Sequence, residues 1–139
     1  MDKVSKEQRS RNMAAVPNRN SQPELIVRRA LHRLGYRFRL HRKDLPGTPD
    51  IVLATHRLCI FVHGCFWHRH EDCRRSTVPS TNTRFWLEKF AKNKARDQDV
   101  TERLTAFGWR VEVIWTCETT SEDKLLSALR RCLERRPSS

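Results

Sequence analysis

The sequence of 139 residues contains no long hydrophobic run, and its longest uninterrupted apolar stretch is residues 58–62. A helix that crosses a bilayer needs about 20 apolar residues, so we expect no membrane-spanning segment. Residues 1–12 are mostly charged and polar, without the apolar region of a signal peptide. The sequence therefore predicts a cytoplasmic protein. Hydrophobic residues make up 37% of the chain, enough for the core of one compact domain.

Acidic residues are scarce relative to basic ones. The chain has 16 Asp and Glu against 28 Lys and Arg, a formal net charge of +12. The excess is concentrated in residues 1–43, which contain twelve basic residues and three acids. This balance indicates a polyanionic partner, most commonly nucleic acid. Charge alone leaves open a nucleic-acid enzyme, a passive binding module, a ribosomal-type structural protein and a basic membrane-surface protein.

Cysteine occurs in an odd number, five, which argues against a framework of paired disulfides. Cys65, His70 and Cys73 lie within nine positions of one another, in a segment without core periodicity. A single Cys or His is more often a packing or surface residue, but this density favours a zinc site. Tetrahedral zinc needs a fourth ligand, for which Cys117 is the best candidate.

Hydrophobic periodicity predicts seven elements in the order α-β-β-β-α-β-α, a mixed α/β sheet flanked by helices. We predict helices over about 22–34, 84–107 and 122–133, and strands over 36–40, 51–54, 58–62 and 109–115. Residues 63–83 follow neither period and are interpreted as an irregular insertion. The chain divides into an N-terminal arm, 1–20, and one domain, 21–139.

Some apolar residues have predicted core positions. The remaining cysteines, Cys59 and Cys132, lie in apolar patterns and are expected to pack in the core. The long helix is predicted from five apolar residues: Leu87, Phe90, Ala91, Leu104 and Phe107.

An acidic residue stands where a short apolar strand begins, at Asp50 after Pro49. Many metal-dependent nucleases have a carboxylate at such a strand edge, where it and a backbone carbonyl hold Mg²⁺ beside a phosphate. Those enzymes usually carry an acid-x-Lys triplet on the next strand, but residues 62–64 are Val-His-Gly. His63 and His68 could compete for zinc or replace the missing Lys, because histidine titrates near neutral pH. By itself, a Pro-Asp pair is also typical of a turn before a strand.

Two pairs of large aromatic residues lie in polar surroundings: Phe66-Trp67 in the insertion and Phe85-Trp86 at the start of the long helix. In a basic protein, such rings suit stacking on bases or wedging between them. The alternative is packing over the metal site. That alternative is about equally expected for Phe85 and less expected for the adjacent Phe66 and Trp67, since both rings cannot easily point inward.

Together these motifs resemble the very short patch repair endonucleases. The resemblance rests on Pro46-Gly47-x-Pro49-Asp50, the string from His63 to His68, Phe85-Trp86-Leu87-Glu88-Lys89, and Gly108-Trp109-Arg110-Val111 with Ile114-Trp115-x-Cys117. Arg9-Ser10-x-Asn12-Met13 also looks like the N-terminal segment of that family. The match extends from about residue 5 to residue 133.

The resemblance implies a restriction-endonuclease-like fold, a mixed central sheet flanked by helices, with a structural zinc site. It implies a monomeric, Mg²⁺-dependent enzyme that recognises T:G mismatches left in double-stranded DNA by deamination of 5-methylcytosine. Such enzymes nick the strand 5′ to the mispaired T and initiate very short patch repair. A mismatch-repair protein and a cytosine methyltransferase are the implied partners, and the enzyme would be nucleoid-associated when bound to DNA.

Residue roles follow from the same resemblance. Asp50 would be the Mg²⁺-binding carboxylate and the Val62 carbonyl a second Mg²⁺ contact. His68 would transfer a proton at the scissile phosphate, supported by His63 and Glu24. Zinc would be bound by Cys65, His70, Cys73 and Cys117.

DNA contacts are implied as well. Phe66, Trp67 and Trp86 would intercalate beside the mismatch from one groove. The arm, residues 1–20, would clamp DNA in the other groove near Met13. Phosphate affinity without sequence information is expected from basic residues such as Arg9, Arg11, Arg28, Arg69, Arg74, Lys89 and Lys92.

Two other functions fit the same sequence. A restriction-type endonuclease would cut matched duplex DNA. A zinc-stabilised DNA-binding module would bind without catalysis and would have no use for Asp50 together with His68.

Overall fold

The computed structural model describes residues 21–71, 73–74 and 76–134. The predicted arm, 1–20, and its residue Met13 lie outside these described residues. Among the described helices, none is both long enough and apolar enough to cross a membrane.

The observed elements follow the predicted order. The helices are α1 (Gln22–Arg33), α2 (Thr83–Ala106) and α3 (Glu122–Glu134), and the strands are β1 (Arg39–Leu40), β2 (Ile51–Leu53), β3 (Leu58–His63) and β4 (Arg110–Trp115). Short 3-10 helices follow β2 and β4, at Ala54–His56 and Thr116–Thr119. Residues 64–82 contain no helix or strand among their described positions, as predicted for the insertion.

The first strand is shorter than predicted. Only Arg39 and Leu40 pair with β2, opposite Val52 and Ile51. Tyr36 and Phe38 are nevertheless half-buried and pack against the core, so the alternation correctly predicted which side chains face inward.

The sheet has the order β1-β2-β3-β4 and is mixed. β1 and β2, like β2 and β3, are antiparallel, while β3 and β4 are parallel and are connected through α2. Ile51, Leu53, Leu58 and Ile60 face one side of the sheet, where α1 and α3 cover them. Val52 and Cys59 face the other side and pack with Leu104 and Trp109, at the end of α2. Both predicted core cysteines, Cys59 and Cys132, are fully buried.

The inward face of α2 contains two of the five apolar residues that predicted this helix. Phe90 and Leu104 are buried, but Leu87, Ala91 and Phe107 are exposed. The less exposed positions recur three and four residues apart at Trp86, Phe90, Asn93, Asp97, Val100 and Leu104. This spacing defines one helical face, and it includes two polar residues because part of that face borders a cleft rather than the core.

Strand pairing brings several chain segments to one edge of the sheet. His63 at the end of β3 is in register with Trp115 at the end of β4, so the segments that follow both strands begin side by side. Asp50 immediately precedes β2, which runs antiparallel to β3, and therefore arrives at the same edge. The candidate site lies there.

Candidate active site and metal centre

A cleft of about 700 Å³ opens at this sheet edge. Of the residues singled out in the sequence, Asp50, Val62, His63, His68 and Trp67 line it. Side chains that sequence reasoning missed also line it, among them His41, Arg96 and Asp97.

Asp50 forms the acidic side of the cleft, and the buried Glu24 lies next to it, outside the cleft lining itself. Glu24 is in the first turn of α1, which Ser21 caps by accepting a hydrogen bond from the Glu24 backbone N–H at 3.4 Å. Its carboxylate is almost fully buried and contacts His41 Nε2 at 2.9 and 3.0 Å and Arg28 at 3.3 Å. The Asp50 carboxyl is also buried and lies within hydrogen-bonding range of Glu24.

Burial is the main cause of a raised pKa at Asp50. The pKa of this carboxyl rises from 3.8 to about 7, chiefly through desolvation and further through the neighbouring Glu24, while the Val62 N–H opposes the shift. Two adjacent buried carboxyls are difficult to ionise together unless a cation neutralises them. The pair therefore fits a divalent cation.

The backbone of β3 adds an oxygen to this donor set. Val62 N–H donates to Asp50 Oδ2 at 2.8 Å, which orients the carboxylate. In an extended strand, the N–H and C=O of one residue point the same way, so the Val62 carbonyl faces the same edge. Carboxylate and carbonyl oxygens are the ligands that Mg²⁺ takes in proteins.

His63 and His68 lie against each other beside the acidic side of the cleft. Their rings stack at a centroid distance of 3.8 Å with an interplanar angle of 7°. His68 Nδ1 is 2.5 Å from Asp97 Oδ2, an acid from the inward face of α2. If Nδ1 carries the ring proton and donates a hydrogen bond to Asp97, Nε2 is unprotonated and can accept a proton.

The two histidines differ in their electrostatic surroundings. Burial and the adjacent His68 lower the pKa of His63 to about 4. His63 is therefore neutral near pH 7 and does not supply positive charge to a phosphate. Of the two proposed replacements for the missing Lys, the geometry favours His68.

Four side chains that could bind a metal meet in the segments that follow β3 and β4. Ligand atoms of Cys65, His70, Cys73 and Cys117 all lie within 4.8 Å of one another. The parallel register of β3 and β4 explains the meeting, because Cys65 and Cys117 each lie two residues after the paired His63 and Trp115.

This cluster fits a tetrahedral metal. With bonds of about 2.3 Å, tetrahedral sulfur ligands are about 3.8 Å apart, comparable with the 3.4 Å between Cys117 Sγ and His70 Nδ1. The His70 ring stacks on Trp115 at 4.3 Å, and Thr116 Oγ1 is 3.2 Å from Cys65 Sγ. All three cysteines are free thiols. Cys₃His is a typical donor set for structural zinc.

The aromatic pairs form one cluster, which reaches the cleft through Trp67. Phe66 contacts Trp67, Trp86 and Phe90 edge-on, with centroids 5.1 to 5.6 Å apart. Trp67 and Trp86 are 5.7 Å apart and half-buried. Phe85 lies edge-on to Trp86 but is 55% exposed, so it is not a core residue.

Arg69 differs from its expected role as a phosphate contact. Its guanidinium donates to the carbonyls of Phe66, Ser76 and Thr77 at 2.9 to 3.3 Å and lies 4.1 Å from the Phe90 ring centroid. It therefore holds the insertion together. Lys89, by contrast, lies over the rings of Trp67 and Phe85 at 5.4 and 5.8 Å.

Two polar residues of the cleft were missed for different reasons. Asp97 had a usable signal, because it lies seven residues after the apolar Phe90 and therefore on the same face of α2. His41 had none, since it lies in a polar stretch after a two-residue strand and its φ of +48° is set by the tertiary fold.

Known proteins resemble the chain closely. The family model of DNA mismatch endonuclease Vsr matches residues 1–75. The type II nicking enzyme V.XorIIP of Xanthomonas oryzae pv. oryzae is 50% identical over 133 residues, covering 96% of this chain and 97% of that protein. DNA mismatch endonuclease Vsr of Escherichia coli is 43% identical over 124 residues, covering 89% and 79%.

The α/β fold, the cleft and these relatives define the class of the protein, which is a DNA endonuclease. The chain belongs to the Vsr family, as its sequence motifs predicted.

Proposed function

We propose that this protein recognises T:G mismatches that arise by deamination of 5-methylcytosine in duplex DNA. It nicks the strand 5′ to the mispaired T in an Mg²⁺-dependent reaction and initiates very short patch repair. The observation that carries the proposal is one cleft lined by Asp50, by the His68–Asp97 pair and by Trp67 of the aromatic cluster, with Glu24 buried beside Asp50. The names of the relatives support it, since one is a mismatch endonuclease and another a nicking enzyme.

Asp50 and the Val62 carbonyl would hold Mg²⁺, with Glu24 adding a second carboxylate beside Asp50. The ion would supply stabilisation of negative charge on the reacting phosphate. Because the Val62 N–H donates a hydrogen bond to one Asp50 oxygen at 2.8 Å, the carboxylate is already oriented for binding the ion.

His68 accepts the proton of the attacking water at Nε2. Asp97 holds Nδ1 and stabilises the imidazolium that forms, while the neutral His63 ring packs on one face and restricts rotation. His63 and Glu24 therefore support His68 and Asp50 respectively.

Mismatch selection comes from the aromatic cluster. Phe66, Trp67 and Trp86 enter the base stack from one groove, and the arm with Met13 clamps the other groove. A T:G wobble pair is more easily unstacked than a matched pair, so wedging rings there costs less free energy. Trp67 lies on both the cluster and the cleft, which supports coupling between recognition and cutting.

The remaining proposals concern architecture and setting. The fold is of the restriction-endonuclease-like type, with arm 1–20 and a single domain 21–139, and Cys65, His70, Cys73 and Cys117 hold a structural zinc. The enzyme acts as a monomer on nucleoid DNA, with a mismatch-repair protein and a cytosine methyltransferase as functional partners.

The decisive experiment compares duplexes that differ only at one base pair. The protein is incubated with Mg²⁺ and oligonucleotides carrying T:G or C:G in several flanking sequences, and the cleaved strand is mapped. We expect one nick, 5′ to the mispaired T. Equal cutting of the matched duplex would indicate a restriction-type endonuclease instead.

A matched variant separates catalysis from binding. Asp50→Ala is expected to abolish nicking while leaving T:G binding largely intact. Binding by wild-type protein without any nicking, under the same conditions, would favour the zinc-stabilised binding module.

A further inference from the structure

An imidazole that the proposed mechanism does not use lies beside the Asp50–Glu24 pair. His41 Nε2 is 2.9 and 3.0 Å from the two Glu24 oxygens, and one ligand atom from each of Glu24, His41 and Asp50 lies within 4.8 Å of the others. Both carboxyls are buried, and all three residues are close enough to share one ion.

The backbone holds His41 in a conformation that costs free energy. Its φ is +48°, in the left-handed region that side-chain-bearing residues seldom occupy. The His41 N–H donates to the Asp50 carbonyl at 3.1 Å, which ties this conformation to the start of β2. Backbone strain of this kind persists where the surrounding structure fixes it and is concentrated at functional sites.

The distances between these groups are compatible with coordination of one ion. His41 Nε2 and the Glu24 oxygens are hydrogen-bonded at 2.9 and 3.0 Å, and adjacent ligands of an octahedral ion with bonds of about 2.1 Å are likewise about 3.0 Å apart. When an ion replaces the His41 contact, Glu24 still has Arg28 at 3.3 Å. Mg²⁺ prefers oxygen ligands, whereas first-row transition ions accept imidazole nitrogen.

We propose that His41 is a third protein ligand of the cation held by Glu24 and Asp50, and that its nitrogen gives the site a preference for Mn²⁺ over Mg²⁺. The inference rests on the proposed function for the existence of a cation at Asp50. It goes beyond that function by assigning a new ligand and the ion that this ligand favours.

The test measures ion binding to the full, zinc-loaded chain without DNA. Titration calorimetry is expected to give Mn²⁺ affinity at least ~10-fold above Mg²⁺ affinity. His41→Gln keeps a hydrogen-bond donor toward Glu24 but removes the nitrogen ligand. It is expected to lower Mn²⁺ affinity ~10-fold or more and to change Mg²⁺ affinity by less than ~3-fold. His56→Gln, at an exposed position, is the control and should change neither.

A spectroscopic measurement remains decisive if His41→Gln folds poorly. Electron spin-echo modulation of Mn²⁺ bound to wild-type protein is expected to show ¹⁴N coupling, and His41→Gln should lose it. Bound Mn²⁺ without ¹⁴N coupling, or coupling and affinity unchanged in a folded His41→Gln, would refute the role of His41 and leave the proposed function intact. Asp50→Asn should abolish the binding of Mn²⁺ and Mg²⁺ at this site. If the wild-type protein binds neither ion in a way that depends on Asp50, the proposed function itself is contradicted.

Discussion

At the scale of single residues, the cleft combines two carboxyls with different partners. Asp97 is half-buried and contacts an imidazole, whereas Asp50 is buried beside a second acid and a backbone N–H. Separate environments of this kind give chemically similar groups different roles. Two predictions follow from these contacts.

Asp97→Asn is expected to reduce the single-turnover nicking rate ~10²–10⁴-fold with little effect on DNA binding. The amide no longer stabilises a protonated His68 and can select the wrong tautomer. Asp99→Asn is the matched control, because Asp99 is exposed and pairs only loosely with Arg103, at 3.8 Å. A rate for Asp97→Asn equal to that of the control would exclude the His68–Asp97 pair from proton transfer.

Asp50 is expected to make stability depend on pH when no divalent cation is added. Its pKa is about 7 in the folded protein and near 3.8 when unfolded, so between these values the folded state binds the extra proton. The free energy of unfolding gained from this group is complete below about pH 4 and is lost as pH rises toward about 7. Asp50→Asn should flatten this dependence.

Urea unfolding at about pH 5 and about pH 8 measures the effect. The gain in stability from Asp50→Asn, relative to wild type, should be larger at the higher pH. If both proteins showed the same pH dependence of stability, the pKa of Asp50 would not be raised in the folded protein.

At the scale of elements, the ends of β3 and β4 organise both candidate metal sites. Their parallel register places His63 beside Trp115. Val62, one residue before His63, hydrogen-bonds Asp50 of the acidic pair, and Cys65 and Cys117 of the Cys–His cluster follow His63 and Trp115 by two residues. Within the insertion, Arg69 joins three carbonyls, those of Phe66, Ser76 and Thr77. The Cys–His cluster and the cleft therefore both lie where β3 and β4 end.

Cys117→Ala is expected to reduce zinc from about one ion per chain to about none and to lower the melting temperature. Cys132→Ala removes a fully buried core thiol that is not part of the cluster and should lower stability while zinc content stays unchanged. Metal analysis and thermal unfolding on the same samples check both. Retention of zinc by Cys117→Ala would exclude Cys117 as a ligand.

The turn before Asp50 packs against α2 through Gly47. A Cβ at this position would lie 2.5 Å from Val100 Cγ1, and its φ is +74°. Gly47→Ala is therefore expected to reduce the free energy of unfolding by about 2–4 kcal/mol. Gly35→Ala isolates the backbone contribution, since its φ is +87° with no atom within 4 Å, and should lose about 1–2 kcal/mol.

Chemical denaturation of both variants, and of Gly47→Ala with Val100→Ala, separates the clash from the backbone strain. The double variant should lose less free energy of unfolding than the sum of the two single variants, because Val100→Ala removes the atoms with which the Cβ introduced by Gly47→Ala clashes. Equal losses for Gly47→Ala and Gly35→Ala would mean that the turn moves away from α2 without cost.

At the scale of the whole molecule, charge and selectivity have different sources. The net charge is +12, whereas the cleft is lined by acids, histidines and Trp67 together with the basic residues Lys43 and Arg96. Lys and Arg contacts to phosphate release counterions and carry no base information. Affinity and mismatch preference should therefore respond differently to salt.

Raising salt from about 50 to about 200 mM is expected to weaken binding to T:G and C:G duplexes by similar factors, ~10²-fold or more, and to change their ratio by less than ~3-fold. Fluorescence anisotropy with both duplexes measures this. A preference for T:G that disappears with salt would place recognition in the charged contacts rather than in the rings.

The sequence by itself determined the element order, the buried strands, the core cysteines and the family. These follow from local periodicity and from motifs that are contiguous in the chain, such as the string from His63 to His68. It also grouped Cys65, His70 and Cys73, because they are neighbours along the chain. The inward face of α2 was predicted only partly, since apolar residues such as Leu87 and Phe107 occur on its exposed side.

Only the tertiary structure decided which distant side chains meet. Asp97 reaches His68 across 29 positions, and His41 reaches Glu24 across 17, because α2 and α1 pack on opposite faces of one sheet. The register of β3 with β4 joins Cys117 to the other three residues of the cluster. Desolvation at the same edge raises the pKa of Asp50 and lowers that of His63, and burial is a property that no local pattern around either residue specifies.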